Sequence, residues 1–548
     1  MSPLVLFSFV IGYFLLLLGV AWYTSRNADN ESFFIGNRNS NWMLVAFGMV
    51  GTSLSGVTFV SVPGNVGAIN FNYFQLVLGY VLGYLVISFV LLPLYYRMNL
   101  TSIYTYLETR FGGNAHRAGA FFFILSRTVG ATARLYLVIN ILQLFILDKL
   151  GIPFIVTALV ILLMILLYTA EGGVKTIIFT DTLQTSGMLL GLVICLVVLV
   201  KALGLGWSGA WDLMSAKGYT QVLNTDINSP LYFWKQLLGG MFITITMTGL
   251  DQEMMQKNIS VRTLRDSQKN IMSMSTILVV VNALFLLLGA VLYIYAANMG
   301  LTAKGDDLFP AIALSDAFSG TIGIIFIIAL ISALFPSVDG AITSLTASFC
   351  IDILDFNKRS DTEKNKRRKR LLVHLGFALI FLLMVLLYKW VDDKSIIQFI
   401  LKFAGITYGP LLGLFAFGIL TKRRLRTEWL WMVCVACPLL ALGLDLLCNP
   451  EYYNGLFHTD LRLGDLSWAG FVICPHLALG LDLLCSPEYY NKLLHTDLRL
   501  ADLSSRIFGG YKIGPELILL NGLITFSALF LISRSSSSTD SGPVPTKG

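Results

Sequence analysis

Apolar residues run through this chain in long blocks separated by short polar stretches. A helix needs about 20 mostly apolar residues to cross a bilayer core. Runs of that kind fall near 4–24, 42–67, 74–96, 117–147, 152–170, 176–203, 232–252, 271–298, 320–354, 371–390, 394–420, 428–448 and 513–533. A weaker candidate lies at 468–485. The pattern predicts an all-α polytopic membrane protein with 13–14 transmembrane helices. The first run begins at Leu4 with no Lys or Arg before it and no small-residue cleavage site. It reads as a retained membrane helix, not a signal peptide.

Composition agrees with the pattern. The 548 residues are 56% hydrophobic and 13% charged, against roughly 25% charged in a soluble domain. The charge sits in alternate loops: Arg26 and Arg38; Arg97, Arg110 and Arg117; Lys175; Lys257, Arg262, Arg265 and Lys269; Lys358 to Arg370; and Lys422 to Arg426. The positive-inside bias makes these loops cytoplasmic and places the N-terminus outside. The net charge of +7 is thereby explained without a nucleic-acid partner. The bilayer is the expected surrounding, with the cell inner (plasma) membrane as location. The seven cysteines lie in or at the ends of apolar runs and lack zinc-site spacing, so they read as small buried hydrophobes. The five histidines form no metal pair and no nucleophile–base constellation is visible, which argues against an enzyme.

Polar and flexible residues inside the runs carry the functional signal. After the first helix, the next ten divide into five and five. The opening helix of the first five holds Gly48, Gly51, Gly56, Pro63, Gly64 and Gly67 with Thr52, Ser53, Ser55 and Thr58 between them; that of the second five holds Gly239, Gly240 and Gly249 with Thr244, Thr246 and Thr248. Such residues weaken a helix and are tolerated in a bilayer where freed carbonyls find partners or line a cavity. Close packing through small residues is the alternative for either helix alone. Their matched positions in two halves point to a transporter, whose site lies at interrupted helices.

Ionisable groups within spans are costly and functional by default, and two stand out. Asp181 lies among Thr180, Thr182 and Gln184; Asp339 lies in SALFPSVDGAITSLTASF beside Ser332, Ser337, Thr343, Ser344 and Thr346. Hydroxyls, freed carbonyls and a carboxylate make a site for a hard monovalent cation. Pro336 removes a backbone donor and frees a carbonyl one turn earlier. A helix cap or an ion pair with an Arg is the alternative role for each Asp.

The chain resembles the sodium/solute symporter family, which includes sodium–glucose, proline, iodide and sialic acid symporters. The carriers of the resemblance, spread over about residues 5–425, are SFFIGNRNSNW, GTSLSGVTFVSVPG, LTSIYTYLETRFG, EGGVKTIIFTDTLQ, DQEMMQ, the Ser/Thr-rich segment 332–348 and YGPLLGLFAFGILTKR. The resemblance implies a leucine-transporter-like fold with two inverted five-helix repeats, 42–203 and 232–420. An additional N-terminal helix at 4–24 precedes them, and C-terminal helices at 428–533 follow. It implies Na+ as the coupling ion, held by the carbonyls of Gly51, Leu54 and Ala333 and the hydroxyl of Ser337. Position 336 is Pro where relatives carry a hydroxyl, so Asp339 is expected to supply the missing oxygen or to form a second cation or proton site with Asp181. Asp181 matches the TDxxQ segment, whose acid contributes to a second sodium site in some members. Ser55, Thr58, Tyr73 and Gln75 are the implied substrate contacts, with Arg127 and Arg134 near. The amide and guanidinium of sialic acid symporters do not align, since Val77 and Gly130 stand there.

The expected function is sodium-coupled import of a small polar solute, such as a sugar, sialic acid, amino acid or carboxylate, by alternating access. The alternatives are a proton-coupled transporter using Asp181 or Asp339, and a membrane sensor without transport. Residues 437–467 and 474–504 are near-identical copies, a local duplication with no expected function. The tail 534–548 is compositionally disordered.

Overall fold

The computed structural model describes residues 3–24, 30–315, 318, 320–356, 362–391, 396–449, 451–452 and 511–534. The weak candidate 468–485, the second duplicated copy, and the tail beyond Arg534 lie outside the described residues. The helices used below are α1 (Pro3–Thr24), α2 (Trp42–Ile69), α3 (Tyr73–Val86), α4 (Gly113–Leu142), α5 (Phe154–Ala202), α6 (Phe233–Thr244), α7 (Gln252–Ile259), α8 (Leu264–Asn298), α9 (Thr321–Ser348), α10 (Glu363–Val391), α11 (Ile396–Thr407), α12 (Gly409–Leu420), α13 (Leu430–Cys448) and α14 (Leu517–Ile532). Paired two-residue strands, Arg424–Leu425 and Ser533–Arg534, are the extended elements among the described residues.

Every one of the thirteen apolar runs falls on a helix. Eight described helices are long and apolar enough to cross a membrane unaided, or up to nine if the bent pair Phe399–Thr407 and Gly409–Leu420 is one span. The difference has a structural cause. Trp42–Arg97 is one continuous helical stretch containing two runs, while Phe154–Thr169 and Leu517–Ile532 are shorter apolar helices. The run at 232–252 is divided between α6 and a π-helical turn at Ile245–Gly249.

The described residues form two compact units. The larger draws on Met1–Ile103, Phe123–Ala404 and Tyr511–Glu516. Within it, α2 packs against α5, α8 and α9, and α5 also packs on α9 and α1. Phe59 of α2 anchors an aromatic core with Phe285 of α8 and Phe326 of α9, ring centroids 5.8 and 5.9 Å away. α5 holds two of the apolar runs, divided at Gly173 with φ +55°. A side chain there is excluded twice over, because a Cβ would lie 2.3 Å from the Phe33 Cα.

The interruptions expected in α2 and α6 are of different kinds. In α2 the break is at Ser55, with φ +44° and ψ 167°, thirteen residues into the helix. In the second stretch, Gly240 lets backbones touch: a Cβ there would stand 2.2 Å from the Leu76 carbonyl oxygen. Close packing of α6 on α3 therefore accounts for that glycine. The break falls later, through the π turn to Leu250, with the Tyr95 hydroxyl donating to the Gly249 carbonyl at 2.8 Å. The chain then restarts as α7, whose N-cap Asp251 accepts from the N–H groups of Glu253 and Met254 at 2.9 and 3.3 Å.

The smaller unit draws on Tyr104–Phe122, Gly405–Gly510 and Leu517–Gly548. There α14 packs on α12 and α13. Asn521 of α14 donates to the carbonyls of Gly405 and Ile406 at 3.1 and 2.6 Å, satisfying groups exposed where α11 bends 43° into α12. The five described cysteines are buried.

Candidate functional site

The break at Ser55 opens a cavity in the larger unit. Its volume is about 110 Å3, room for a small solute or about four waters. Its wall carries Thr52, Ser53, Ser55 and Thr58 of α2, Tyr73, Tyr80 and Tyr84 of α3, Thr244 of α6, Asn282 of α8 and several apolar side chains. The phenols are grouped: Tyr73 and Tyr80 oxygens are 3.3 Å apart, and Tyr84 lies 3.5 Å from the Ser53 hydroxyl. Among the described residues, Arg127 and Arg134 of α4 are the charged residues on this wall. A cavity rich in hydroxyls and aromatic faces, with two guanidinium groups on its described wall, favours a solute carrying an apolar body and a negative group.

A buried ionic corner adjoins the cavity. Lys257 of α7 donates to Asp181 Oδ2 and to Thr52 Oγ1, both at 2.7 Å. Thr52 itself donates to Asp181 Oδ2 at 3.2 Å. Lys257 also lies 3.4 Å from Glu253, one turn earlier on α7. Glu253 accepts from Arg127, which also stands 3.8 Å from Asp251. Asp339 lies on the adjacent stretch of α9, and its Oδ2 accepts from the Tyr168 hydroxyl at 2.9 Å. Gly340 beside it makes the crowding feasible, since a Cβ there would meet Glu253 Oε1 at 2.3 Å and Lys257 Nζ at 3.2 Å. Thr52 and Arg127 belong to both the corner and the cavity wall, so a change in one is felt in the other. The charges are unequal: Asp181, Asp251, Glu253 and Asp339 face Lys257 and Arg127.

The residues expected to hold sodium converge where α2, α5 and α9 meet. Gly51 is so close to α5 that a Cβ would lie 2.2 Å from Thr185 Oγ1. Leu54 lines the cavity. Ser337 donates to the Thr52 carbonyl at 3.5 Å, and Ala333 is fully buried in the same helix. Asp181 and Asp339 both face the corner, linked through Lys257 and its neighbours. Among expected substrate contacts, Ser55, Thr58 and Tyr73 line the cavity. Gln75 is absent from that wall. Its amide donates to the carbonyls of Asn72 and Leu231 and accepts from the Asn224 N–H, at 3.0–3.1 Å, which fixes the loop before α6.

Lys257 reads in the sequence as one more basic loop residue, and Asp251 and Glu253 as part of the motif DQEMMQ without a role. The available signal was the spacing: Glu253 and Lys257 are i,i+4 on a helix opened by Asp251, which puts both on one face.

The comparison with known proteins fits this architecture. Residues 33–433 match the sodium:solute symporter family. The chain belongs to that family. Its relatives include a sodium-dependent multivitamin transporter of Oryctolagus cuniculus, 27% identical over 76% of this chain and 65% of that protein. A sodium/iodide cotransporter of Homo sapiens is 25% identical over 74% and 63%. The chain thus spans just under two thirds of the length of these two relatives. A sodium/sialic acid symporter of Proteus mirabilis is 24% identical over 76% of this chain and 85% of that protein. A Na+-coupled sialic acid symporter solved in a substrate-bound, outward-open state superposes with a TM-score of 0.74 at 16% identity, covering 96% of this chain and 97% of that one. At that identity the likeness shows the fold, which is leucine-transporter-like as expected.

Proposed function

We propose that this member of the sodium:solute symporter family is a carrier, not an enzyme, that couples inward movement of Na+ to uptake of a small organic anion by alternating access. The observation that carries the solute class is the cavity at the α2 break, where the charged wall residues among those described are Arg127 and Arg134. Sodium is read at the α2/α9 junction, with the carbonyls of Gly51, Leu54 and Ala333 and the Ser337 hydroxyl as neutral ligands. Asp339 supplies the negative charge there: among the described residues it has no ion-pair partner, whereas Asp181 is paired with Lys257. A sodium ion moving inward through 100 mV gains about 2.3 kcal/mol, and binding linkage requires that solute and sodium tighten one another equally.

In this reading residues 42–203 and 232–420 are the two inverted repeats, and α1 is an additional helix with the N-terminus outside, as the basic loops favour. The plasma membrane is the site of action. Uptake into proteoliposomes tests the reading, using monocarboxylates, sialic acid and vitamin-type carboxylates beside sugars and neutral amino acids. Saturable uptake of a carboxylate driven by an inward sodium gradient is expected. Uptake that persists without sodium and follows a proton gradient would instead assign coupling to protons.

A further inference from the structure

The Lys257 ammonium sits where a carboxylate, a hydroxyl and a second carboxylate converge. Asp181 Oδ2 and Thr52 Oγ1 are each 2.7 Å away and Glu253 Oε1 is 3.4 Å away. The three N–H bonds of the ammonium thus face three oxygens, the donor set that would otherwise suit a hard monovalent cation. Lys257 is 3% exposed and Asp181 is fully buried. The charged groups around them are Asp181 on α5, Glu253 and Asp251 on α7, Arg127 on α4 and Asp339 on α9, with the Tyr168 hydroxyl on the first half of α5. Of these, Arg127 is turned to Glu253 and Asp251, so Lys257 is the cation that neutralises Asp181.

We infer that Lys257 is a tethered counter-cation that permanently fills the position beside Asp181, so that this corner loads no sodium and the coupling ion is confined to the Asp339 side. The inference rests on the sodium-symport reading for its consequence, since it sets how many ions travel with each solute. It assigns Lys257 as a stoichiometry-determining residue. A loosely held surface lysine would not do this: the side chain reaches from α7 between α2 and α5, and Gly340 leaves the space it needs.

The test counts bound sodium on purified full-length protein by equilibrium binding of radioactive Na+ in wild type, Lys257→Met and the double variant K257M/D181N. Methionine keeps the length of the side chain and removes the charge. The expected result is one additional ion per protein in K257M than in wild type, lost again in K257M/D181N. If K257M is not monodisperse by size-exclusion chromatography, Lys257→Gln replaces it with the same expectation. An unchanged ion count in the single variant overturns the inference, as does an added ion that persists in the double variant. The wild-type count separates the two readings. No sodium bound to wild type with one ion gained in K257M refutes sodium symport and keeps the tethered cation. One ion in wild type and one in K257M does the reverse.

Discussion

Arg134 gives the sharpest test of the anionic-solute reading. It lies on the cavity wall about two turns along α4 from Arg127, which belongs to the ionic corner. Replacing Arg134 by Gln keeps a hydrogen-bonding side chain and removes the positive charge and the fork geometry that matches a carboxylate. A hydrogen bond to a charged group contributes about 1.5–3 kcal/mol, so the Kd for a transported carboxylate should rise about 10- to 150-fold. Lys at this position keeps charge without the planar fork and should fall between. Isothermal calorimetry in saturating sodium, comparing each acid with its primary amide, isolates the term. Wild type should favour the acid, and R134Q should bind acid and amide alike. Equal binding of acid by wild type and R134Q, or wild type preferring the amide, would refute the assignment of the carboxylate to this wall.

Further predictions concern the ion, the corner and the packing. Asp339→Asn removes the carboxylate read beside sodium and should raise the sodium concentration for half-maximal uptake by about 10-fold or more; unchanged sodium dependence would exclude Asp339 as a ligand. Gly340→Ala pushes a methyl to 2.3 Å from Glu253 Oε1. It should destabilise by about 1–3 kcal/mol, read as a lower apparent melting temperature together with reduced uptake. Gly240→Ala meets a backbone oxygen at 2.2 Å, whereas Gly376→Ala on α10 meets nothing within 4 Å. The first should lower thermal stability and the second leave it unchanged or raise it by about 0.4–1 kcal/mol. Asn521→Leu strips the donor from the Gly405 and Ile406 carbonyls and should cost about 1–3 kcal/mol, with faster hydrogen exchange expected through 405–412.

Whatever depends on one-dimensional pattern could be read directly from the chain. Blocks of apolar residues place the helices because a bilayer demands internally satisfied backbone over a fixed length, and all thirteen runs are helical. The Gly-, Pro- and hydroxyl-rich stretch around Ser55 marked α2 as an interrupted helix, and the ordered motifs carried the family. What lay beyond reach was any property set by which helices meet. Gly239 and Gly240 look alike as breaker or packing residue until α3 is known to touch α6. Gln75 looks like a substrate contact until the loop at 224–231 takes its amide. Lys257 belongs by charge to a loop, yet tertiary contact carries it into the carboxylate corner, because the partners that make its burial tolerable, Asp181 and Glu253, come from two different elements. A buried charge is permitted only by its neighbours, and neighbours distant in sequence are what only the folded chain supplies.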